Sequence, residues 1–446
     1  MKPSNLFIFV MFINVVLIPT VNLKNKSTNM KLIILYLGIL SILERILFYF
    51  LIKIIFKIKG AILMTNKNLS FETISVRGAS GGDSKTGAIS YPIYQTSTFK
   101  HPALYESTGY DYSRTNNPTR EEVEKTVALL EKGIGALGFS TGVAAISACL
   151  HLFKPGDHII ISEDLYGGTY RLLNDIYNIF NIKSTFVDTS SIYEIKKAIT
   201  KDTKCIFIET PSNPLMRVSS IKEISEICSE NNILLIVDNT FLTPYFQKPL
   251  ELGADIVIHS GTKFLGGHND VLAGFLIAKD SEILAKLKGI QNSIGAVLSA
   301  FDSWLILRGL KTLHIRLEKA QENAIIIANY LKVNSNIDKV YYVGLKDHKG
   351  YEENIKQSSG FGSMISFKVK DESLVPKILK DIKVISFAES LGGVESLITY
   401  PFTQTHIDMK DELKEKLGVD KKLLRLSVGI ENINDLLNDL KNVLGE

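Results

Sequence analysis

Between residue 120 and about residue 290 the chain alternates short, nearly continuous apolar runs with stretches of helical periodicity, and few folds accommodate that pattern. The apolar runs read as strands at residues 136–139, 158–162, 184–188, 205–210, 233–240, 255–260 and 273–278. Helical stretches separate most of them, including residues 168–180, 192–199 and 221–230. Strands without polar alternation are buried on both faces, and intervening helices make crossovers between parallel neighbours. The pattern therefore predicts an α/β domain over 120–298: a mostly parallel seven-stranded sheet covered by helices.

The rest of the chain reads differently. A long helical stretch runs from residue 299 to about 331, a half-buried strand is expected at 361–369, a helix at 374–380, a strand at 423–428 and a last helix at 433–444. These make a linking helix and a smaller C-terminal α+β domain over 299–446. Thr119 and Glu122 have the spacing of a capping box for a helix at 120–132, which Gly133 would end. Residues 64–119 are rich in Ser, Thr, Gly and Tyr with little periodicity, and read as an ordered arm or a disordered leader. No internal repeat is evident.

Residues 1–63 stand apart, a hydrophobic N-terminal extension with eight basic residues against one acid, Glu44. The remainder of the chain is slightly acidic, 43 basic against 46 acidic residues, which gives no support to nucleic-acid binding. A membrane helix needs roughly 20 largely uncharged residues. The apolar run from Leu32 is broken by Glu44-Arg45 and then by Lys53, Lys57 and Lys59. Met64 opens an ordinary polar beginning, so the sequence favours a misassigned upstream start over a membrane anchor, and membrane association is expected only if the extension is real. Cys149, Cys205 and Cys228 are widely spaced in apolar runs and read as small core residues, not disulfides or a metal site, which fits a cytoplasmic protein.

Five strand ends carry polar residues with useful chemistry. The sixth apolar run ends in Ser260-Gly261-Thr262-Lys263, two hydroxyls and an amine. A lysine amine condenses with an aldehyde, and hydroxyls and N–H groups hold a phosphate, which together suit pyridoxal phosphate (PLP). Read alone, Lys263 fits a surface lysine in a glycine-rich turn equally well. Asp238, after five apolar residues, is placed either to pair with a protonated pyridine nitrogen or to cap the next turn. Asn213, in the run Glu209-Thr-Pro-Ser-Asn213-Pro, suits a bond to a cofactor ring oxygen, though Ser-Asn-Pro is also ordinary turn chemistry. Ser140-Thr141-Gly142-Val143 opens a helix whose N-terminus offers free N–H groups, so Gly142 and Val143 are candidate phosphate contacts alongside Ser260 and Thr262. Tyr166 suits stacking on an aromatic ring, or a surface loop. One shared site at the carboxyl edge of the sheet accounts for all five. Neither a GxGxxG fingerprint nor a GxxxxGK[ST] loop occurs, so nucleotide-binding readings lose their usual support.

The runs YDYSRTNNPTRE (110–121), FSTGVAAI (139–146), DLYGGTY (164–170), ETPSNPL (209–215), IVDNTFLTPYFQKPLELGADIVIHSGTKFLGGHND (236–270), AESLGGVESLITYP (388–401) and LLRLSVGIE (423–431) resemble the Cys/Met-metabolism family of PLP enzymes. The resemblance covers about residues 70–444 in the expected order. It implies the aminotransferase-like (type I) PLP fold, with Lys263 as Schiff-base lysine and proton shuttle, Asp238 as pyridine partner and Tyr166 as stacking and acid/base tyrosine. It gives the phosphate to Gly142, Val143, Ser260 and Thr262, and sends Tyr112 and Arg114 to the phosphate of a neighbouring subunit. Arg425 and Ser390 would bind a substrate α-carboxylate, with Asn213 assisting. A homo-oligomer with shared sites follows, expected as a tetramer built from two dimers, as does a small sulfur amino-acid substrate.

HPALYESTGYDYSRT (101–115) and TYPFTQTH (399–406) look most like the bacterial cystathionine beta-lyases of this family. Gly168 stands where methionine gamma-lyases carry a cysteine, and Glu389 resembles the acid that meets cystathionine's distal ammonium, or is a solvated surface acid. The expectation is α,β-elimination of L-cystathionine to homocysteine, pyruvate and ammonia. Cystathionine gamma-synthase and gamma-lyase remain the alternatives, since the same residues serve γ-chemistry.

Overall fold

The computed structural model describes residues 69–407 and 409–445, which fall within one compact unit, Asn66–Glu446. The expectations for residues 1–63 lie outside the described residues. The seven expected strands form one sheet: β1 (Gly135–Phe139), β2 (His158–Ser162), β3 (Lys183–Val187), β4 (Thr203–Glu209), β5 (Leu234–Asp238), β6 (Ile256–Ser260) and β7 (Gly274–Ala278). Their order is β1-β7-β6-β5-β4-β2-β3. β7 runs antiparallel to both neighbours, and every other pairing is parallel. The reversal has a local cause: the stretch between β6 and β7 contains no helix to make a parallel crossover.

Both faces of the sheet are covered, as unbroken apolar strands require. Ile159, Ile161, Cys205, Phe207, Ile236, Ile256, Ile258 and Leu276 enter one core. Their alternates Ile160, Ile206, Ile208, Leu235, Val237, Val257, Phe275 and Ile277 enter the other. The period of two assigns each residue to its face. Among the described residues no helix is long and apolar enough to cross a membrane.

A second sheet follows, made of β8 (Ile337–Tyr341), β9 (Met364–Val369), β10 (Ser386–Phe387), β11 (Leu397–Thr399) and β12 (Leu423–Ser427), in the order β10-β11-β12-β9-β8. Ile365, Phe367, Leu424 and Leu426 pack into its own core with the last helix, Ile433–Leu444. The intervening residues of β9 and β12 face the other way, which matters for the site below.

Three local expectations are corrected. The helix expected at 120–132 is Pro118–Glu131, and its cap is Asn117, whose side chain accepts from the N–H groups of Thr119 and Arg120. Proline suits the first helical position because it brings no orphan N–H, and this moves the start two residues back. Thr119 instead bonds Tyr94 N and Pro92 O, both at 2.9 Å, and Glu122 accepts from Ser80 N at 2.9 Å and Ser80 Oγ at 2.5 Å. These bonds order the arm, which also holds a helix, Phe71–Arg77. Lys132, in the left-handed region at φ 62°, ends the helix in place of Gly133. The long helical stretch after residue 299 is two helices, Ala300–Leu310 and Leu313–Val333. Arg316 bridges the break, donating to Gly309 O at 2.8 Å and to Thr312 Oγ1 at 3.1 Å. The stretch at 168–180 is a short α-helix, Gly167–Arg171, running into a π-helical turn, Leu172–Tyr177.

Asn117 also donates from Nδ2 to Tyr94 O at 2.8 Å, so it joins cap and arm. Asn117→Ala should cost about 1–2 kcal/mol of stability, read as a lower midpoint in chemical denaturation.

Candidate active site

The carboxyl ends of β1, β2, β4, β5 and β6 lie along one edge, and their side chains are linked in a chain of contacts. In-register pairing sets Glu209 beside Asp238. Asp238 Oδ1 accepts from Thr240 N at 3.0 Å and Thr240 Oγ1 at 2.6 Å. Thr240 Oγ1 in turn accepts from Ser260 N at 2.9 Å, which joins β5 to β6. Glu209 Oε2 accepts from Tyr166 N at 3.1 Å, which joins β4 to the turn after β2.

The helix after β1, Gly142–Leu150, starts against this group. Thr141 caps it, accepting from Ala144 N through its hydroxyl and Ala145 N through its carbonyl. The N–H groups of Gly142 and Val143 are left without an intrahelical partner. A Cβ on Gly142 would lie 3.0 Å from Ser260 Cβ, so the helix end packs directly beside the Ser260 hydroxyl. Thr262 is committed elsewhere: its hydroxyl donates to Ala273 O at 3.2 Å and accepts from Ala273 N at 3.0 Å.

The second sheet completes the group. Because Leu424 and Leu426 turn inward to its core, Arg425 projects toward the first sheet, where it is 1% exposed. Its Nη1 donates to Asn213 Oδ1 at 2.8 Å, and its Nη2 to Ser390 O at 3.1 Å and Thr399 Oγ1 at 3.3 Å. Lys263 Nζ donates to Ser390 Oγ at 2.9 Å. Ser390 has a positive φ of 104°, and Gly392 passes so near that a Cβ there would lie 2.7 Å from Phe264 N. The loop is thus pressed onto the backbone that carries Lys263.

Burial dominates the electrostatics. It lowers the Lys263 amine to about 8, with the Arg425 guanidinium adding to the effect and Glu389 opposing it. It pushes the Glu209 carboxyl well above its usual range, reinforced by repulsion from Asp238. Asp238 is raised too, despite the two Thr240 bonds that favour its charged form. Burial also raises Asp164 to about 6.

Of the expected residues, Lys263, Asp238, Tyr166, Gly142, Val143, Ser260, Asn213, Ser390 and Arg425 are brought together. Glu389 makes no hydrogen bond among the described residues but acts on both Lys263 and Arg425 through its charge. Tyr112 and Arg114 stand apart from this group: Arg114 lies over the Tyr112 ring at 5.5 Å and bonds its own chain's Asn292. Sequence reasoning passed over Glu209, Thr399 and Asp164. Asp164 accepts from Ser212 Oγ and from Leu215 N at 3.2 Å, tying the Tyr166 turn to the Asn213 loop. Glu209 and Asp164 each lie within a quoted strand-end motif, and a signal existed in their chemistry, since acids directly after apolar strands are rarely idle.

Residues 72–445 match the family described as Cys/Met metabolism PLP-dependent enzyme. The cystathionine gamma-lyase of Bacillus subtilis (strain 168) is 48% identical over 373 residues, 84% of this chain and 98% of the relative. The cystathionine beta-lyase of Lactococcus lactis subsp. cremoris (strain MG1363) is also 48% identical, over 375 residues, 84% of this chain and 99% of the relative. The solved cystathionine gamma synthase from Xanthomonas oryzae pv. oryzae in complex with cystathionine superposes with a TM-score of 0.82 at 39% identity, covering 84% of this chain and 97% of that one.

The raised carboxyls generate a pH prediction. A carboxyl whose folded value is raised stabilises the fold at low pH and loses that contribution as pH rises through the folded value. Without added PLP, the Glu209 contribution to stability should therefore fall as pH rises beyond the ordinary carboxylate range of about 4. Glu209→Gln, which keeps an acceptor for Tyr166 N, should flatten that pH dependence above the ordinary carboxylate range in thermal melts.

Proposed function

The chain belongs to the Cys/Met metabolism family of PLP-dependent enzymes, and we propose that within it the protein is a carbon–sulfur lyase cleaving L-cystathionine by α,β-elimination to homocysteine, pyruvate and ammonia. One observation carries the reading. Lys263 and Arg425 converge on Ser390, the amine on its hydroxyl and the guanidinium on its carbonyl, with the Glu389 carboxylate next in the chain. An amino-acid substrate needs a base near its α-carbon and a fork for its carboxylate. A substrate with a second amino-acid end also needs an anion for its distal ammonium, which Glu389 supplies.

The residues present fit PLP. The helix end at Gly142 and Val143, with two N–H groups that lack an intrahelical partner, lies beside the Ser260 hydroxyl, a donor set that suits its phosphate. Two adjacent buried carboxylates, Asp238 and Glu209, suit a cation such as the protonated ring nitrogen, with Asp238 as its direct partner. A lysine amine lowered to about 8 is unprotonated often enough near neutrality to react with an aldehyde. When bound, the cofactor supplies an electron sink for the negative charge that develops at the substrate α-carbon.

Around it the chain's own residues bind, orient and move protons. Arg425, fixed by Asn213 and Thr399, takes the α-carboxylate with Ser390. Lys263 Nζ, held by Ser390 Oγ, takes the α-proton. Tyr166 covers the site, and Gly168 makes room for it: a Cβ at 168 would come within 2.4 Å of the tyrosine Cε1. That closeness sets this chain apart from enzymes with a side chain at the position. Tyr112 and Arg114, exposed and unattached to the group, would serve the site of a second copy in a cytoplasmic homo-oligomer, a tetramer with shared sites. Relatives named for β- and γ-elimination are equally similar, at 48% identity, so the bond that breaks must be read from products.

Three outcomes are expected. Cystathionine should yield pyruvate with homocysteine, each assayed separately; 2-oxobutyrate with cysteine would assign the gamma-lyase reaction, and synthesis of cystathionine from cysteine and an activated homoserine the gamma-synthase. Arg425→Lys, which loses the planar fork, should lower kcat/KM about 30-fold, roughly 2 kcal/mol. Chains carrying Lys263→Ala and Arg114→Ala, each inactive alone, should regain part of the activity when co-expressed, and no recovery would end the shared-site reading.

A further inference from the structure

The loop after β11 carries His406 to the carboxylate fork, and nothing in the preceding roles uses it. The side chain is 1% exposed. Its Nδ1 lies 2.8 Å from Thr405 Oγ1, while Nε2 is buried without a hydrogen-bond partner. Beside the ring stand the backbone of Leu165, one residue before Tyr166, and the backbone of Asn213, and the charge of Arg425 reaches it. The Nε of Arg425 is likewise buried and unpartnered. The Thr405 carbonyl oxygen sits 2.1 Å from where a Cβ on Gly167 would be, so this loop is seated directly on the turn that carries Tyr166. Thr399, at the end of β11, meets Arg425 from the same connection. One buried ring therefore lies beside the Tyr166 turn and the Asn213 loop and feels the charge of Arg425, so it neighbours all three segments that would grip the substrate's amino-acid end.

We propose that His406 is a positioning residue of the α-carboxylate subsite, its ring wedged between the Leu165 and Asn213 backbones and Arg425 so that the fork stays in line beneath Tyr166. The inference rests on the reading of Arg425 as the carboxylate anchor. A second cation could not occupy this place beside a buried guanidinium. Burial, with the charges of Arg425 and Lys414 adding to it, lowers the imidazole to about 4, so the ring is neutral near pH 7. A neutral imidazole has one lone pair and one N–H. With the Thr405 hydroxyl donating to Nδ1, the one N–H lies at Nε2, buried close to the Leu165 and Asn213 backbones, a polar edge that an aliphatic side chain of equal volume lacks.

The test uses the full-length protein loaded with PLP and two ligands that differ only in the carboxylate, L-alanine and ethylamine. Binding of each is followed by the change in the cofactor's visible absorbance. Wild type should bind alanine far more tightly than ethylamine; if it does not discriminate, the anchor reading fails, independently of His406. His406→Leu should weaken alanine about tenfold and leave ethylamine unchanged, while raising the KM for cystathionine with little change in kcat. His406→Gln, which restores an amide N–H at similar reach, should recover most of the loss, and the shorter His406→Asn should not. The Gln and Asn pair carries the same comparison if the leucine variant does not fold. Equal weakening of both ligands, no weakening, or no difference between Gln and Asn would overturn the proposal.

Discussion

The in-register parallel pairing of β4, β5 and β6 is the constraint on which the active centre depends. The pairing sets Glu209 opposite Asp238 and Asp238 opposite Ile258, so that Ser260, two residues on, comes to the same edge with no loop needed to gather them. Each neighbour then follows by a short bond. Thr240 spans from Asp238 to Ser260, and Glu209 reaches the N–H of Tyr166. A slip of one residue in this register would turn every apolar side chain to the wrong face, so the same packing that builds the two cores also holds the site in alignment.

The second sheet supplies what the first lacks. Alternation along β12 commits Leu424 and Leu426 to one core and leaves Arg425 facing the gap, flanked in register by Ser366 and Thr399. Ser366 donates to Pro214 O at 2.6 Å and Arg425 donates to Asn213, so the two sheets are joined at the loop that shapes the fork. Burying a guanidinium is expensive unless its donors are used. Here one N–H of Nη1 and both of Nη2 go to Asn213, Ser390 and Thr399, which fixes the direction in which the fork faces and leaves one N–H on Nη1 and the one on Nε. The same burial that encloses Arg425 lowers the Lys263 amine, so the fixed guanidinium and the lowered amine share one physical cause.

Much of this was legible in the residues. Apolar runs named the strands of the main sheet, because a strand buried on both faces has few other ways to be written; only the edge strand β3, KSTFV with Lys183 and Thr185 exposed, departs from that form. Polar residues directly after those runs pointed to one edge. Helix ends were harder: Asn117 and Thr119 are both good caps, and the choice between them turned on Tyr94 and Pro92, distant in sequence, taking up the threonine hydroxyl. Glu209 was hidden for a similar reason. Its importance comes from lying beside Asp238, and strand order is not written in either strand.

The sequence by itself determined the α/β class and the strand ends, because these rest on periodicity and on chemistry carried by single residues. Only the tertiary structure decided how Lys263, Ser390, Arg425 and Asn213 meet, since that contact joins segments more than a hundred residues apart and needs two sheets packed edge to loop. It alone also decided the charge states. Burial and neighbouring charges set those, and both are properties of the folded whole.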